Sequence, residues 1–202
     1  YLSTEQLARE FFVSTGTVNS WIRSGKLTPT VSMPFGSRRL YLFSPQDAEE
    51  ARRALQIPVH DDSTIYDDFR EFLEARDYSL SYKMPFLLAL LDQVLEIGEA
   101  SIEAVLDEYI GFYEDRTRRG LVVDRPTCPY TAEYLKDRKA MRRSMLVNPV
   151  EKFERKRFLY YSKELGLIAF HHALWEQLTE EDFARIREQM REDLREYYEG
   201  IG

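Results

Sequence analysis

The chain contains few of the residues that build disulfide frameworks, metal sites or membrane spans. Its single cysteine, Cys128, excludes an intramolecular disulfide, and three histidines leave no zinc-type ligand set. The longest apolar run, residues 84–91, is about half as long as a membrane span. A phosphate-binding loop of the type GxxxxGK(S/T) is also missing. We therefore expect no cofactor, no metal and no membrane contact, and a reducing cytoplasm as the compartment.

The polar residues show no catalytic arrangement. His171 and His172 are adjacent, and adjacent side chains on a regular element point in different directions, so they do not suit a shared ligand role. Cys128 has no histidine or cationic partner that the sequence identifies, which a reactive thiolate would need. The sequence therefore predicts a protein that is not an enzyme.

Charge is distributed unevenly along the 202 residues, whose formal net charge is −7. Residues 1–56 carry +2 and residues 57–115 carry −12, whereas residues 116–157 carry +8 and residues 158–202 carry −5. Two basic segments are thus separated by an acidic one, a pattern that concerns partners rather than fold. The length suits one large domain or two small ones.

Two helix-start patterns lie close together near the beginning of the sequence. Ser3 and Gln6 match a capping box, and Ser14 can cap a second helix that Gly25 would end. In this second helix, residues 14–24, the apolar side chains share one face and predict packing on the first helix. The opposite face carries short polar or cationic side chains, as a helix in a major groove requires. These outward residues are Thr15, Gly16, Thr17, Asn19, Ser20 and Arg23.

A short β-hairpin and a third helix are predicted next. Strand-like residues 27–33 and 38–43 flank a turn. Ser44 followed by Pro45 then opens the third helix. A helix-turn-helix, a two-stranded wing and a helix, in this order, predict a winged-helix domain over residues 1–56.

The N-terminal quarter of the chain resembles the DNA-binding modules of the MerR and excisionase-like families. The matching stretches are LSTEQLAREFFVSTGTVNSWIRSGKL, GSRRLYLFS and SPQDAEEARRAL. The resemblance implies double-stranded DNA as the partner, with the second helix in the major groove and basic wing residues on backbone phosphate. Base edges or nearby phosphates are assigned to Thr15, Thr17, Asn19, Ser20 and Arg23. Phosphates are assigned to Lys26, Arg38 and Arg39, while Tyr41 either packs or touches the DNA backbone.

The charge of this module, only +2, predicts weak DNA binding by the module alone, because phosphate contacts supply most of the affinity. We therefore expect a second copy through a homodimer, or a second DNA-binding surface. The alternative that the helix-turn-helix is purely structural, or binds protein, stays open.

Beyond a predicted linker, residues 57–62, a helical domain with one β-hairpin is expected over residues 63–202. The hairpin combines residues 158–161 and 167–170. Helices followed by a hairpin could form a second winged-helix-like unit. The fold class expected for the whole chain is mainly α.

The segment 116–157 contains a broad cationic face. We expect one helix over residues 136–143 to carry it, with a further helix opened by Asn148 and Pro149. Its partner is either nucleic acid or the acidic segment 57–115, within the chain or across a dimer. The residues concerned are Lys136, Arg138, Lys139, Arg142 and Arg143.

The last predicted helix is long and amphipathic. It starts at Thr179, and its apolar residues recur at spacings of three and four, which gives a coiled-coil-like seam. This seam either docks on the core of its own domain or forms the expected homodimer. It consists of Phe183, Ile186, Met190, Leu194 and Tyr197.

Parts of residues 80–182 resemble an accessory C-terminal region of bacterial helicases and nucleases in restriction and phage-defence systems. The matching stretches are SYKMPFLLALLD, YIGFYEDRTRRGL, NPVEKFERKRFLYYSKELGLIAF and ALWEQLTEED. The resemblance implies a genomic neighbourhood, and a helicase or nuclease partner, rather than an activity. Two functions are expected as alternatives: a dimeric, sequence-specific transcriptional regulator at the bacterial nucleoid, or a DNA-binding adaptor in a phage-defence or restriction system.

Overall fold

A computed structural model describes every residue of the chain and divides it into two compact units. Unit 1 is Tyr1–Thr64 and unit 2 is Ile65–Gly202. Helices account for 56% of the residues, which confirms the expected mainly α class. The expected linker, residues 57–62, lies within unit 1, where the ring of His60 stacks on Phe12 with 4.2 Å between centroids. None of the helices combines the length and the hydrophobicity that crossing a membrane requires.

Unit 1 has the element order of a winged helix. Its elements are β1 (Leu2–Ser3), α1 (Thr4–Glu10), α2 (Thr15–Arg23), β2 (Val31–Phe35), β3 (Arg38–Phe43) and α3 (Pro45–Ala54). The strands form an antiparallel sheet in the order β1-β3-β2, so the first strand pairs with the last. β1 was not expected, because two residues are too few for an alternating pattern to show.

Local capping fixes where the helices of unit 1 begin. The Ser3 hydroxyl accepts from the Gln6 backbone N–H at 3.2 Å, and the Gln6 side chain accepts from the Ser3 N–H at 2.8 Å, which completes the capping box that the sequence predicts. Ser14 and Ser44 cap α2 and α3 in the same way. The helices and the sheet enclose a small core, whose largest members are Leu7, Phe11, Val18, Leu27 and Phe43.

Unit 2 is a helical body around one small sheet. Its elements are α4 (Ile65–Glu74), α5 (Lys83–Gln93), β4 (Glu99–Ser101), α6 (Ile102–Arg118), α7 (Ala132–Lys136), α8 (Arg138–Met145), a π-helical turn (Leu146–Val150), α9 (Glu151–Arg155), β5 (Leu159–Ser162), β6 (Leu167–Phe170), α10 (His172–Trp175) and α11 (Glu180–Ile201). The expected hairpin is present as β5 and β6. A third strand, β4, joins it and gives the order β4-β6-β5.

The cationic helix predicted over residues 136–143 is divided in two. Asp137 ends α7 and caps α8, because its carboxylate accepts the Ala140 backbone N–H at 3.0 Å. Lys136 therefore belongs to a separate short helix, and the prediction of a single helix was wrong.

The helix start predicted at Asn148 and Pro149 is also wrong. The Asn148 side chain donates backwards to the Ser144 carbonyl oxygen at 2.8 Å instead of capping a following turn. Pro149 has no N–H for an ordinary helical hydrogen bond, and it lies inside the π-helical turn. The chain therefore continues from α8 to α9 without a new N-terminus.

α11 packs its apolar seam against the core of its own unit, mainly on α5. Phe183 is half-buried and contacts the Trp175 ring at 5.3 Å between centroids. Exposure is at most 9% for Ile186, Met190, Leu194 and Tyr197. Of the two alternatives for the seam, packing within the unit is the one found, so these side chains are not free to form a dimer.

A buried carboxylate ties α11 to the rest of unit 2. Asp124 is 8% exposed and accepts hydrogen bonds from the Ser81 backbone N–H at 3.0 Å and from the Tyr197 hydroxyl at 2.6 Å. The Ser81 hydroxyl donates to the same carboxylate at 2.5 Å. A buried charge is tolerated only with such donors. This network joins three segments of unit 2 that are far apart in the sequence.

Candidate nucleic-acid interface

α2 presents its polar face to solvent because its apolar face packs against the core of unit 1. Val18 is fully buried, and the ring of Trp21 lies 6.5 Å from that of Phe11. On the other side, Arg23 is exposed and makes no hydrogen bond or ion pair. Its guanidinium is therefore available to an external ligand.

The predicted base-contacting residues of α2 are not equally accessible. Thr15 and Ser20 are exposed, like Arg23. Thr17 is half-buried, and its hydroxyl hydrogen-bonds with the Ser14 hydroxyl at 2.9 Å. Asn19 is half-buried as well. Thr17 therefore serves the helix cap, and the outward face consists chiefly of Thr15, Ser20 and Arg23.

The wing consists of β2 and β3, and the outer part of this two-stranded ribbon has both faces in solvent. Every residue from 32 to 40 is exposed, and Gly36, with φ 60°, makes the turn that an L side chain would disfavour. Arg38 makes no ion pair, whereas the Arg39 Nε donates to the Ser32 hydroxyl at 3.1 Å. Lys26, just after α2, is exposed too. Of the three predicted phosphate ligands, Arg38 and Lys26 are unengaged and Arg39 is held along the ribbon.

The base of the wing is anchored to α3. The Thr30 hydroxyl donates to the Asp47 carboxylate and accepts from the Ser44 backbone N–H at 2.6 Å. Hydrogen bonds from Thr30 and then Ser44 lower the pKa of the Asp47 carboxyl. Tyr41 is half-buried and packs on the unit 1 core, so packing is the alternative found for this residue.

Sequence reasoning missed the apolar side chains of the wing. Phe35 is 74% exposed and Met33 is 40% exposed. In a strand with one buried face their alternation with Ser32 and Pro34 would point them inwards, but nothing covers this ribbon. Exposed apolar side chains next to cations are found where proteins wedge into a minor groove. The flanking pair of arginines was the signal that could have identified them.

One row of α8 cations is neutralised within unit 2. Arg138 donates to Glu103 and to Asp107 of α6, both at 2.6 Å, and Arg142 pairs with the same Glu103. The side chains of this cluster are about half exposed, so the pairs orient α8 on α6 more than they stabilise it. For this row, docking on the acidic segment is the alternative found.

A second row of α8 cations has no such partner. Lys139 and Arg143 are exposed and make no ion pair or hydrogen bond, and the same holds for Lys136 at the end of α7. α8 itself contains no carboxylate. The predicted basic face is therefore divided between an internal row and a free row.

The remaining polar candidates have local structural roles. Cys128 is half-buried and lies 3.3 Å from the Tyr82 hydroxyl, and burial raises the pKa of its thiol. The His171 Nδ1 accepts the Ala173 backbone N–H at 3.1 Å and thereby caps α10. No group of three or more His, Cys, Asp or Glu side chains is arranged to hold a metal ion.

Among the exposed, unengaged cations of unit 1, Arg23 lies on α2, Lys26 just after it and Arg38 on the wing, while Arg9 lies on α1. Comparisons of the chain with protein-family models, curated proteins and solved structures find no match. The candidate interface is therefore defined by the geometry of these elements.

Proposed function

We propose that the chain binds double-stranded DNA in a sequence-specific manner and acts as a transcriptional regulator. The observation that carries the proposal is a single arrangement in unit 1. α2 turns an unengaged Arg23 and small polar side chains outward, and the wing of the same unit exposes Arg38. Small side chains let the helix backbone approach base edges in a major groove, while the cations neutralise phosphate.

Each group has a distinct role in this proposal. The Arg23 guanidinium donates two hydrogen bonds to O6 and N7 of a guanine, which is the commonest specific contact. The Thr15 and Ser20 hydroxyls donate to or accept from neighbouring bases or phosphates. Arg38 and Lys26 bind phosphate, which fixes the orientation of the module without reading sequence. Phe35 at the tip of the wing contacts the minor groove.

Firm binding requires more than one such module, because the net charge of residues 1–56 is only +2. A homodimer on a palindromic site would supply the second copy. Since the α11 seam is buried within its own unit, the homodimer would use another surface. A location at the nucleoid follows from this DNA binding.

Two substitutions separate base contacts from phosphate contacts. Arg23→Ala should cost ~1–3 kcal/mol of binding free energy on the preferred duplex and less on other sequences. Arg38→Ala should weaken binding to all duplexes alike and reduce the slope of log K against log salt concentration by about one. Gel shifts or fluorescence anisotropy over a salt series measure both effects.

Arg53→Ala is the matched control for these variants. The Arg53 side chain is 77% exposed and pairs with Glu49 within α3, so the charge change is the same but lies outside α2 and the wing. This variant should bind like the wild type. If the Arg23 and Arg38 variants also bound like the wild type, the docking proposed for unit 1 would be wrong.

A further inference from the structure

From β4 to β6, unit 2 repeats the topology that unit 1 has from β1 to β3. In both units a short strand leads directly into a helix, a further helical segment follows, and a hairpin closes the sheet, with the first strand paired to the last. Ser3 and Ser101 occupy the same place, since each ends the first strand and caps the next helix. Ser3 pairs with Leu42 and Ser101 with Leu167, in each case on the last strand of the sheet. Unit 2 is therefore built on the same winged plan.

The helix of unit 2 that corresponds to α2 is α8. It comes after the first helix of the plan, α6, and before the hairpin, with the short α7 inserted and with the π-helical turn and α9 extending it. Met141 and Met145 of α8 are fully buried, as Val18 of α2 is. Like α2, α8 thus has one face in the core and one face in solvent.

The outward face of α8 is a row of free cations. Lys139 and Arg143 are four residues apart, so they are neighbours on the helix surface, with about 5–6 Å between Cβ atoms. Val147, 61% exposed, lies four residues further on. Arg138 and Arg142 pair with Glu103 and Asp107 of α6, whereas no carboxylate pairs with the outward row.

We propose that Lys139 and Arg143 form a second binding surface for duplex DNA, so that one chain carries two DNA-binding modules. A linear row of cations on an outward helix, followed by a hairpin, is complementary to the regular negative charge of a duplex backbone. The ion pairs between α8 and α6 hold this row in position. The proposal stands on unit 2 alone and does not require α2 to bind DNA. It supplies within one chain the second module that unit 1 needs.

The test compares full-length double variants on a labelled duplex of mixed sequence, by fluorescence anisotropy over a salt series. Lys139→Ala with Arg143→Ala removes the row. Arg191→Ala with Arg195→Ala is the control, because it removes two exposed cations of the same spacing from α11 and changes the net charge equally. Loss of two phosphate contacts should make the negative slope of log K against log salt concentration less steep by about 1.8, whereas the control should leave this slope unchanged. Circular dichroism spectra should be the same for all variants, since every replaced side chain is exposed.

A wing variant separates the two surfaces. In a chain that carries Arg38→Ala and Arg39→Ala, the residual duplex binding should be unchanged by the α11 substitutions and should fall further with the α8 substitutions. If the α8 variant had the same slope as the α11 control, the second surface would be overturned, and an acidic protein would become the partner to test. If the α8 substitutions reduced binding and the wing substitutions did not, this inference would stand while the function proposed for unit 1 failed.

Discussion

Lys83 is a buried cation whose protonation couples the stability of unit 2 to pH. It is 5% exposed, its Nζ donates to the Asp77 carbonyl oxygen at 3.3 Å, and it lies 4.3 Å from the centre of the Phe72 ring. Burial, and then the charge of Lys152, lowers the pKa of Lys83 to about 8. The folded state therefore holds this proton less tightly than the unfolded chain does.

The free energy of unfolding should rise between about pH 8 and pH 10 through this group, because an unfolded lysine keeps its proton to about pH 10.4. Below this range both states are protonated, and the cost of the buried charge is present in full. Lys83→Met keeps the apolar stem without the charge, so it should reduce the rise. Urea unfolding across the pH range measures it.

Lys163→Met is the control for this prediction, because Lys163 is exposed between β5 and β6. It should leave the pH dependence of the wild type intact. Cys128 and Lys156, whose pKa values are also shifted by burial, titrate in all three proteins, so the difference isolates Lys83. If the free energy of unfolding of Lys83→Met rose with pH as much as that of the wild type, Lys83 would not be the group responsible.

Among the elements, α11 stabilises unit 2, because its apolar seam is buried in the core of that unit. Met190 is fully buried, so Met190→Ala should reduce the free energy of unfolding of unit 2 by about 2–5 kcal/mol. Trp175, which packs on Phe183 of α11, reports this unfolding by fluorescence when Trp21 of unit 1 is replaced by Phe. Urea titrations of the two proteins give the difference.

Arg191→Ala changes the residue next to Met190 on the exposed side of α11, and it should alter the stability by no more than about 0.5 kcal/mol. If Met190→Ala left unfolding unchanged and instead dissociated a dimer, the seam would be an interface between copies of the chain.

Elements specified by neighbouring residues were predictable from the sequence. The capping serines of α1, α2 and α3 each act on a residue three positions later, and the wing follows from strand-like runs around one turn. These local patterns are sufficient to place Arg23 on an exposed helix face and Arg38 on an exposed ribbon. Which side chains are engaged, such as the Thr17 hydroxyl with Ser14, depends on rotamers that a spacing does not specify.

Elements specified by distant residues were not predictable in this way. β4 has three residues, and it is a strand only because Glu99 to Ser101 pair with residues 167–169 of β6. The sequence does not reveal that one helix ends and another begins at Asp137, because the cations on both sides of it keep a helical spacing. Whether a cation of α8 makes an ion pair also depends on α6, because Glu103 pairs with Arg138 and not with Lys139.

At the scale of the whole molecule, the net charge of −7 does not describe the local surfaces, since unit 1 is neutral and unit 2 carries the whole of it. The acidic segment 57–115 supplies the α6 carboxylates that neutralise one row of α8, and the wing and the other row of α8 keep their charge. Charges separated by more than about 8–10 Å are largely screened at physiological salt, so a polyanion responds to these local surfaces. An acidic chain can therefore present two cationic surfaces.

The central claim is that the full chain selects particular duplex sequences through α2. Repeated selection from a random duplex pool, followed by sequencing, tests it most directly. The wild type should enrich one motif, and Arg23→Ala should lose the preference at a position within that motif while keeping the rest. A bound pool with the same composition as the starting pool would contradict sequence-specific recognition.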